Sequence, residues 1–250
     1  MEIFVLAFFA LGYLVLAGAD IGVGMALPYL GRTPGERREV IAAIAPFFLG
    51  NEVWLVATAG VLAGLFPRLE GELLHGNFTM VVTLLLSWVV RDAGLWLRGR
   101  VPGTRWQTFW DGAIVAGSWG LALSLGVILS GALLGFGGPV ALLGALVLAA
   151  LFAVHGLAFA ALRLQGALRA RAALPSGPPS GGAGEWRTYA LTSVALLVVG
   201  VLAGLRLPLE PGTSGPLLVP VVLTLLPFLV AAQAWVWWTF RHRVSGPSYL

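Results

Sequence analysis

Seven long apolar segments, at about 3–29, 40–66, 78–97, 108–135, 139–162, 188–206 and 216–240, take up most of the 250-residue sequence. A helix needs about 20 predominantly apolar residues to cross the hydrocarbon core of a bilayer, and each segment has that length or comes close to it. Runs this long lack the ten-residue alternation of a transmembrane β-barrel. Only 10% of the residues are charged against 58% hydrophobic, whereas a soluble domain carries roughly 25% charged residues. The sequence therefore reads as an all-α polytopic membrane protein of about seven transmembrane helices, without a sizeable soluble domain. The segments predict an N-terminal four-helix membrane bundle over residues 1–135 and a three-helix part over 136–250. Within the latter, Pro175–Gly184 (PSGPPSGGAG) reads as a flexible cytoplasmic linker that spans about 170–186.

The connections alternate in charge. Arg32, Arg37 and Arg38 follow the first segment, Arg98, Arg100 and Arg105 the third, and Arg241 and Arg243 the last. Arg163, Arg169, Arg171 and Arg187 border the loop after the fifth. The intervening connections hold only Arg68 and Arg206, beside Glu70, Glu72 and Glu210. Twelve arginines against two predict, by the positive-inside rule, an outer N-terminus and a cytoplasmic C-terminus. The formal charge of +4 is all arginine, so it sets orientation and does not signal nucleic-acid binding. Glu2, with no basic stretch before the first segment, argues against a cleaved signal peptide. No Cys is present, which excludes disulfide and thiolate chemistry, and the three His and three Met give no expectation of a metal centre.

Glycines at small-xxx-small spacing, Gly60 with Gly64 and Gly200 with Gly204, predict close helix packing. Trp106, Trp110, Trp186, Trp237 and Trp238 fall near segment ends, as an aromatic belt would place them.

An ionisable side chain at membrane depth is costly, so the polar residues inside the segments are the informative ones. Asp20 reads either as a helix-end carboxylate or as a proton-relay or ion-pair residue. Asn51 and Glu52 lie deep in the second segment, where an acid needs a partner, and a functional or assembly role is favoured there. Arg91 and Asp92 lie near the end of the third segment. Arg91 must snorkel or pair, with Asp20 as the candidate partner. Asp111 reads as an acidic charge at the start of the fourth helix, complementing its dipole. His155 reads as a hydrogen-bonded core histidine, with ligand, quinol contact and proton carrier as the functional alternatives. Buried charge in the first three segments suits a proton-coupled redox protein and a secondary transporter alike. A transporter more often shows internal repeats and broken helices at matching positions, and no convincing repeat is found. No Ser or acid sits in a recognisable nucleophile elbow or triad, so no catalytic residue is expected on this chain.

An ordered set of motifs resembles subunit II of the cytochrome bd quinol oxidase family. The runs are Gly18–Gly24 (GADIGVG) with Pro28, Gly31-Arg32 with Glu36-Arg37-Arg38, Ile44-Ala45-Pro46, and Gly50–Leu55 (GNEVWL). Leu65-Phe66-Pro67, Arg91–Arg98 (RDAGLWLR), Trp110-Asp111, His155-Gly156 and Phe240–Val244 follow in order. The resemblance implies a partner, subunit I, that carries haem b and haem d (or b-type haems only) together with the quinol site. The two subunits would oxidise quinol and reduce dioxygen to water with cytoplasmic protons, as a respiratory complex in the bacterial cytoplasmic membrane. It also implies possible partners in a small single-span accessory subunit, membrane lipids and a quinone. On this chain, Asp20, Asn51, Glu52, Trp54, Arg91, Arg98 and Asp111 would form a proton path or the polar network at the subunit interface. His155 and Trp110 are the quinone or haem-proximal candidates.

The departures are specific. The family usually has an aromatic residue and an acid before its GN pair, where this chain has Phe48 and Leu49, and often a further acid where this chain has Ala17. Leucine cannot carry a proton, and Glu52, about one turn away, is the candidate substitute. The family usually has nine spans, so a helical hairpin is expected to be missing from the second half. A shortened paralogue that only stabilises subunit I is the rival reading.

Overall fold

The computed structural model describes residues 1–134, 138–176, 183–244 and 246, and it is helical throughout, with no strand among the described residues. Seven helices are long and apolar enough to span a membrane: α1 (Glu2–Met25), α4 (Phe48–Leu65), α6 (Phe78–Leu97), α7 (Thr104–Leu134), α8 (Pro139–Arg163), α10 (Ala183–Gly204) and α11 (Gly215–Thr239). Four shorter helices connect them: α2 (Leu27–Leu30), α3 (Pro34–Ile44), α5 (Pro67–Gly76) and α9 (Gly166–Ala172).

Two expected segments are shorter than the apolar pattern suggests. The first ends at Met25 and turns through α2, which has Pro28 near its start. The second, expected over 40–66, is broken between Ile44 and Phe48. Pro46 has no backbone N–H to give to the preceding turn, so an uninterrupted helix cannot pass through it. The part before the break belongs to α3, whose start is set by a capping box. The Glu36 backbone N–H donates to the Thr33 hydroxyl at 3.2 Å, and the Thr33 N–H donates back to the Glu36 carboxylate at 3.3 Å. Of the expected linker, residues 177–182 lie outside the described residues. Its described flanks are helical, in α9, a single 3₁₀ turn at Leu174–Ser176, and the first residues of α10.

Helix α1 is the axis of the molecule, packing on α4, α7, α8 and α10, while α6 packs mainly on α7. The two expected parts thus pack directly on each other, since α8 and α10 lie against α1 and both hydrophobic clusters draw on α1 and α8. The closest approach is between α1 and α8. A Cβ on Gly22 would fall 1.9 Å from the Phe152 carbonyl oxygen, and one on Gly156 would fall 2.2 Å from the Gly22 backbone. Gly94 and Gly117 similarly let α6 and α7 meet. The small-xxx-small expectation holds for one member of each pair: an added Cβ would fall 2.8 Å from the Leu218 side chain at Gly64 and 2.4 Å from that of Leu11 at Gly200, whereas Gly60 and Gly204 have no atom within 4 Å of it. Gly60 borders a groove beside α11, and Gly204 lines an apolar cavity.

The arginine-rich connections meet on one face. Arg171 pairs with Glu36, Arg169 with Glu185 at 2.7 Å, and Arg243 with Glu185 at 3.0 Å. Arg243 also donates to the Leu164 carbonyl at 2.7 Å, and Arg163 to that of Phe240, which fastens the end of α11 to the end of α8. On the other face Arg68 pairs with Glu72 at 3.1 Å and with Glu210 at 2.7 Å. Glu36 lies outside the spans, and the hydrogen bond from Arg171 holds its carboxyl down to about 2.

Candidate functional site

Charge is concentrated where α1, α4 and α6 converge. Arg91 on α6 is 2% exposed, and its Nη2 lies 3.0 Å from Asp20 Oδ1 on α1. Its Nη1 donates to Glu52 on α4 at 3.4 Å and to Asp92 at 3.2 Å. The Phe48 ring centroid lies 5.9 Å from the guanidinium carbon, so an aromatic face covers the cation. Three carboxylates around one guanidinium carry a net charge of −2 when all are ionised.

The network continues away from Arg91. Asn51 donates from Nδ2 to Asp20 Oδ2 at 3.1 Å and to the Leu16 carbonyl at 3.0 Å. Gln233 on α11 donates to Asn51 Oδ1 at 2.9 Å, and the Trp54 indole donates to Gln233 Oε1 at 3.4 Å. Trp54 in turn fills the space beside Gly12 of α1, whose missing Cβ leaves room for the indole. A buried carboxamide satisfied on both its oxygen and its nitrogen can hold a carboxylate in one position. Gln233 was not singled out from the sequence. It is the carboxamide inside the last apolar segment, and the rule that flagged Asn51 applies equally to it.

The network has a dry end and an open end. Asp20 is 1% exposed, whereas the Glu52 and Asp92 side chains are 12% and 18% exposed. Each of these two acids sits within an exposed apolar stripe. Leu49, Val53 and Val56 flank Glu52 on α4, and Leu85, Val89 and Trp96 flank Asp92 on α6. Leu49, at the position where the family usually carries an acid, is 47% exposed, and Phe48 is buried against Arg91.

Other expected site residues lie apart from this network. Asp111 is held between Arg98, which donates to it from Nε, and Arg37 at 3.1 Å, and Arg98 also donates to the Pro34 carbonyl at 3.2 Å. The reading of Asp111 as a first-turn charge is corrected. Helix α7 starts at Thr104, two turns earlier than Asp111, so the aspartate works as the ion-pair centre that ties α3, α6 and α7 together. His155 is fully buried and stacks on Tyr189 at 4.7 Å. Its Nε2 lies 2.9 Å from the Val15 carbonyl and its Nδ1 lies 2.7 Å from the Thr192 hydroxyl. The carbonyl can only accept, so Nε2 carries the hydrogen, while Nδ1 shares a hydrogen bond with the Thr192 hydroxyl, which also lies within 3.0 Å of the Thr188 and Tyr189 carbonyls. Both ring nitrogens are occupied within the chain. Trp110 lies in an aromatic group with Trp106 at 5.5 Å and Phe109 at 5.0 Å, and its buried indole N–H has no hydrogen-bond partner among the described residues.

A polytopic helical protein with a buried arginine and carboxylate network at the junction of its first three spans is the class that fold and site define. The sequence matches the family of cytochrome bd terminal oxidase subunit II over residues 1–245, and the chain belongs to that family. It is 37% identical over 117 residues to cytochrome bd-I ubiquinol oxidase subunit 2 of Escherichia coli (strain K12), covering 47% of this chain and 31% of that protein. It is 33% identical over 178 residues to cytochrome bd ubiquinol oxidase subunit 2 of Bacillus subtilis (strain 168), covering 64% of this chain and 52% of that protein. It is also 32% identical over 117 residues to a probable cytochrome oxidase subunit 2 of Haemophilus influenzae. The matches thus span about a third to a half of the length of these curated relatives.

Haem, which the family implies for the complex, does not fit His155 as an axial ligand. An axial imidazole needs a free ring nitrogen, and both nitrogens of His155 are engaged. His75 sits exposed on α5 with its Nδ1 on the Gly71 carbonyl. Among the described residues no three His, Asp or Glu side chains are grouped to hold a metal ion.

Proposed function

We propose that the chain is subunit II of a bd-type quinol:oxygen oxidoreductase of the respiratory chain, without catalytic residues of its own. In this reading it supports a haem-bearing subunit I that oxidises quinol and reduces dioxygen to water with protons from the cytoplasm. The observation that carries it is the family match along residues 1–245. Haem b and haem d, or b-type haems only, belong to the partner.

The partner seats on the α4–α6 face. Glu52 and Asp92 lie in apolar stripes that lipid could cover but could not hydrate, and half-buried carboxylates facing hydrocarbon are costly. A protein surface with donors or water opposite Glu52 and Asp92 removes that cost. The buried end, Asp20, Asn51, Gln233 and Trp54, then sets the position of Arg91, while Glu52 and Asp92 form the proton-accessible end in place of the acid absent at Leu49. The N-terminus is outside and the arginine-rich face is cytoplasmic, in a bacterial cytoplasmic membrane. A quinone, or a small single-span subunit beside the reduced second half, are further partners of this reading.

The test is purification in mild detergent through a tag on this chain, followed by a reduced-minus-oxidised optical spectrum and quinol-driven oxygen uptake. Haem bands with a larger co-purifying membrane protein and oxygen uptake are expected. A colourless chain that purifies alone overturns the assignment. Haem bands without turnover favour the shortened structural paralogue, a reading that the exposed Leu49 supports.

A further inference from the structure

The face opposite the arginine-rich connections holds a cavity of about 300 Å³ between the ends of α1, α4, α7 and α10, with α5 and the Leu205–Leu209 connection at its border. That volume is at the lower end of the range for ligand sites, about 300–1,000 Å³. Thr58 is the one polar side chain in the lining, and its hydroxyl already donates to the Trp54 carbonyl at 2.7 Å. A water needs two to four polar partners to settle in a cavity, and this lining offers it almost none. The walls instead match hydrocarbon. Gly204 has nothing within 4 Å of an added Cβ, so the missing side chain contributes directly to the space.

The rim carries a second, independent feature. Arg206 lies between Leu205 and Leu207, both of which line the cavity, and it is exposed. No carboxylate among the described residues pairs with it, although Arg68 on the same face pairs with both Glu72 and Glu210. An exposed arginine without a carboxylate partner, set between two residues that line a hydrocarbon cavity, suits an amphiphile with an anionic oxygen headgroup and an aliphatic tail.

We infer that this cavity binds one acyl chain of a phospholipid whose phosphate pairs with Arg206. A quinone has an apolar tail but no anionic headgroup, so it offers Arg206 hydrogen bonds to its carbonyls without an ion pair. The site needs only that the chain sits in a membrane, and it stands apart from the α4–α6 face and from any oxidase activity.

The test takes the full chain, with whatever partner it carries through purification, delipidated in dodecyl maltoside. Its Tm is followed on addition of dioleoylphosphatidylglycerol, of dioleoylglycerol with the same chains but no phosphate, or of an isoprenoid quinone. Phosphatidylglycerol is expected to raise the Tm. Dioleoylglycerol on the parent protein, and phosphatidylglycerol on Arg206→Gln, should need roughly two- to fivefold higher concentration for the same effect, as an exposed ion pair warrants. Gly204→Phe, which fills the space, should abolish the response, and Arg68→Gln should leave it unchanged. Arg206→Gln alters an exposed turn without an ion pair, so its fold is retained even where the filled variant fails to assemble. The inference is overturned by any of four results: no response to phosphatidylglycerol, an equal response from dioleoylglycerol, an unchanged response in Arg206→Gln, or protection by the quinone alone.

Discussion

At the scale of single residues, Arg91 decides most of the buried electrostatics. One guanidinium faces Asp20, Glu52 and Asp92, so its removal leaves three carboxylates without their cation. Breaking a buried pair in this way costs about 3–5 kcal/mol, and Arg91→Leu should be recovered at a small fraction of the parent level with a clearly lower Tm. A parent-like Tm would show that the network contributes little to the fold. Glu52→Gln tests a different role, since it keeps shape and hydrogen bonding but cannot carry a proton. The expected outcome is a normally assembled complex whose quinol-driven oxygen uptake is severalfold slower, and unchanged uptake would remove Glu52 from the proton path. Asp20, Glu52 and Arg91 stand out in the sequence because charge in an apolar run is conspicuous. Gln233 is less conspicuous, being an uncharged residue of the last span, and it becomes part of the site only because α11 packs on α4 there.

At the scale of elements, the same substitution at two glycines separates contact from spacing. Gly22→Ala places a methyl 1.9 Å from the Phe152 carbonyl oxygen, so α1 and α8 must move apart. Overpacking of this kind costs about 1–3 kcal/mol or more. Gly60→Ala meets nothing, and should be neutral or stabilising by about 0.5–1 kcal/mol through helix propensity. Thermal unfolding in detergent reads both, and the pair fails if the two variants behave alike. Helix α3 allows a pH test. The Glu36 carboxyl is held down to about 2 by its bond to Arg171, so its folded value is below the ordinary one. Its stabilising effect is therefore fully present above about pH 4.5 and fades as the pH falls toward 2. Glu36→Gln should lower the Tm at pH 6, with the difference from the parent shrinking as the pH is taken below 4.5. A difference independent of pH would show that the charge of Glu36 contributes nothing to it.

At the scale of the whole molecule, the arginine-rich connections join one another through Glu36, Asp111 and Glu185, while Arg68 and Glu210 meet on the other face. Orientation across the bilayer is open to direct measurement because the chain contains no Cys. Single cysteines at Gly35 and Thr213, both exposed, report the two faces. In intact cells a membrane-impermeant maleimide should label Thr213→Cys and leave Gly35→Cys untouched until the membrane is opened. The reverse pattern would invert the topology.

The sequence by itself determined the helical class, the number of long apolar helices and which connections share a face, because these follow from local run length and from counting charges. Matches for membership of the family were also legible, in the order of the GADIGVG, GNEVWL and RDAGLWLR motifs. Packing decided the rest. The break at Pro46 is local, but of the glycines with the most suggestive spacing only Gly64 and Gly200 meet a neighbouring helix, and the tightest approach is at Gly22 and Gly156, since spacing says nothing about which face a neighbour occupies. Tertiary structure alone placed Asp111 between Arg37 and Arg98, engaged both nitrogens of His155, and joined Gln233 to Asn51. Each of these contacts links residues on different helices, and hydrogen bonds of this kind are set by the few ångströms that separate helix surfaces after they pack, which no single helix encodes.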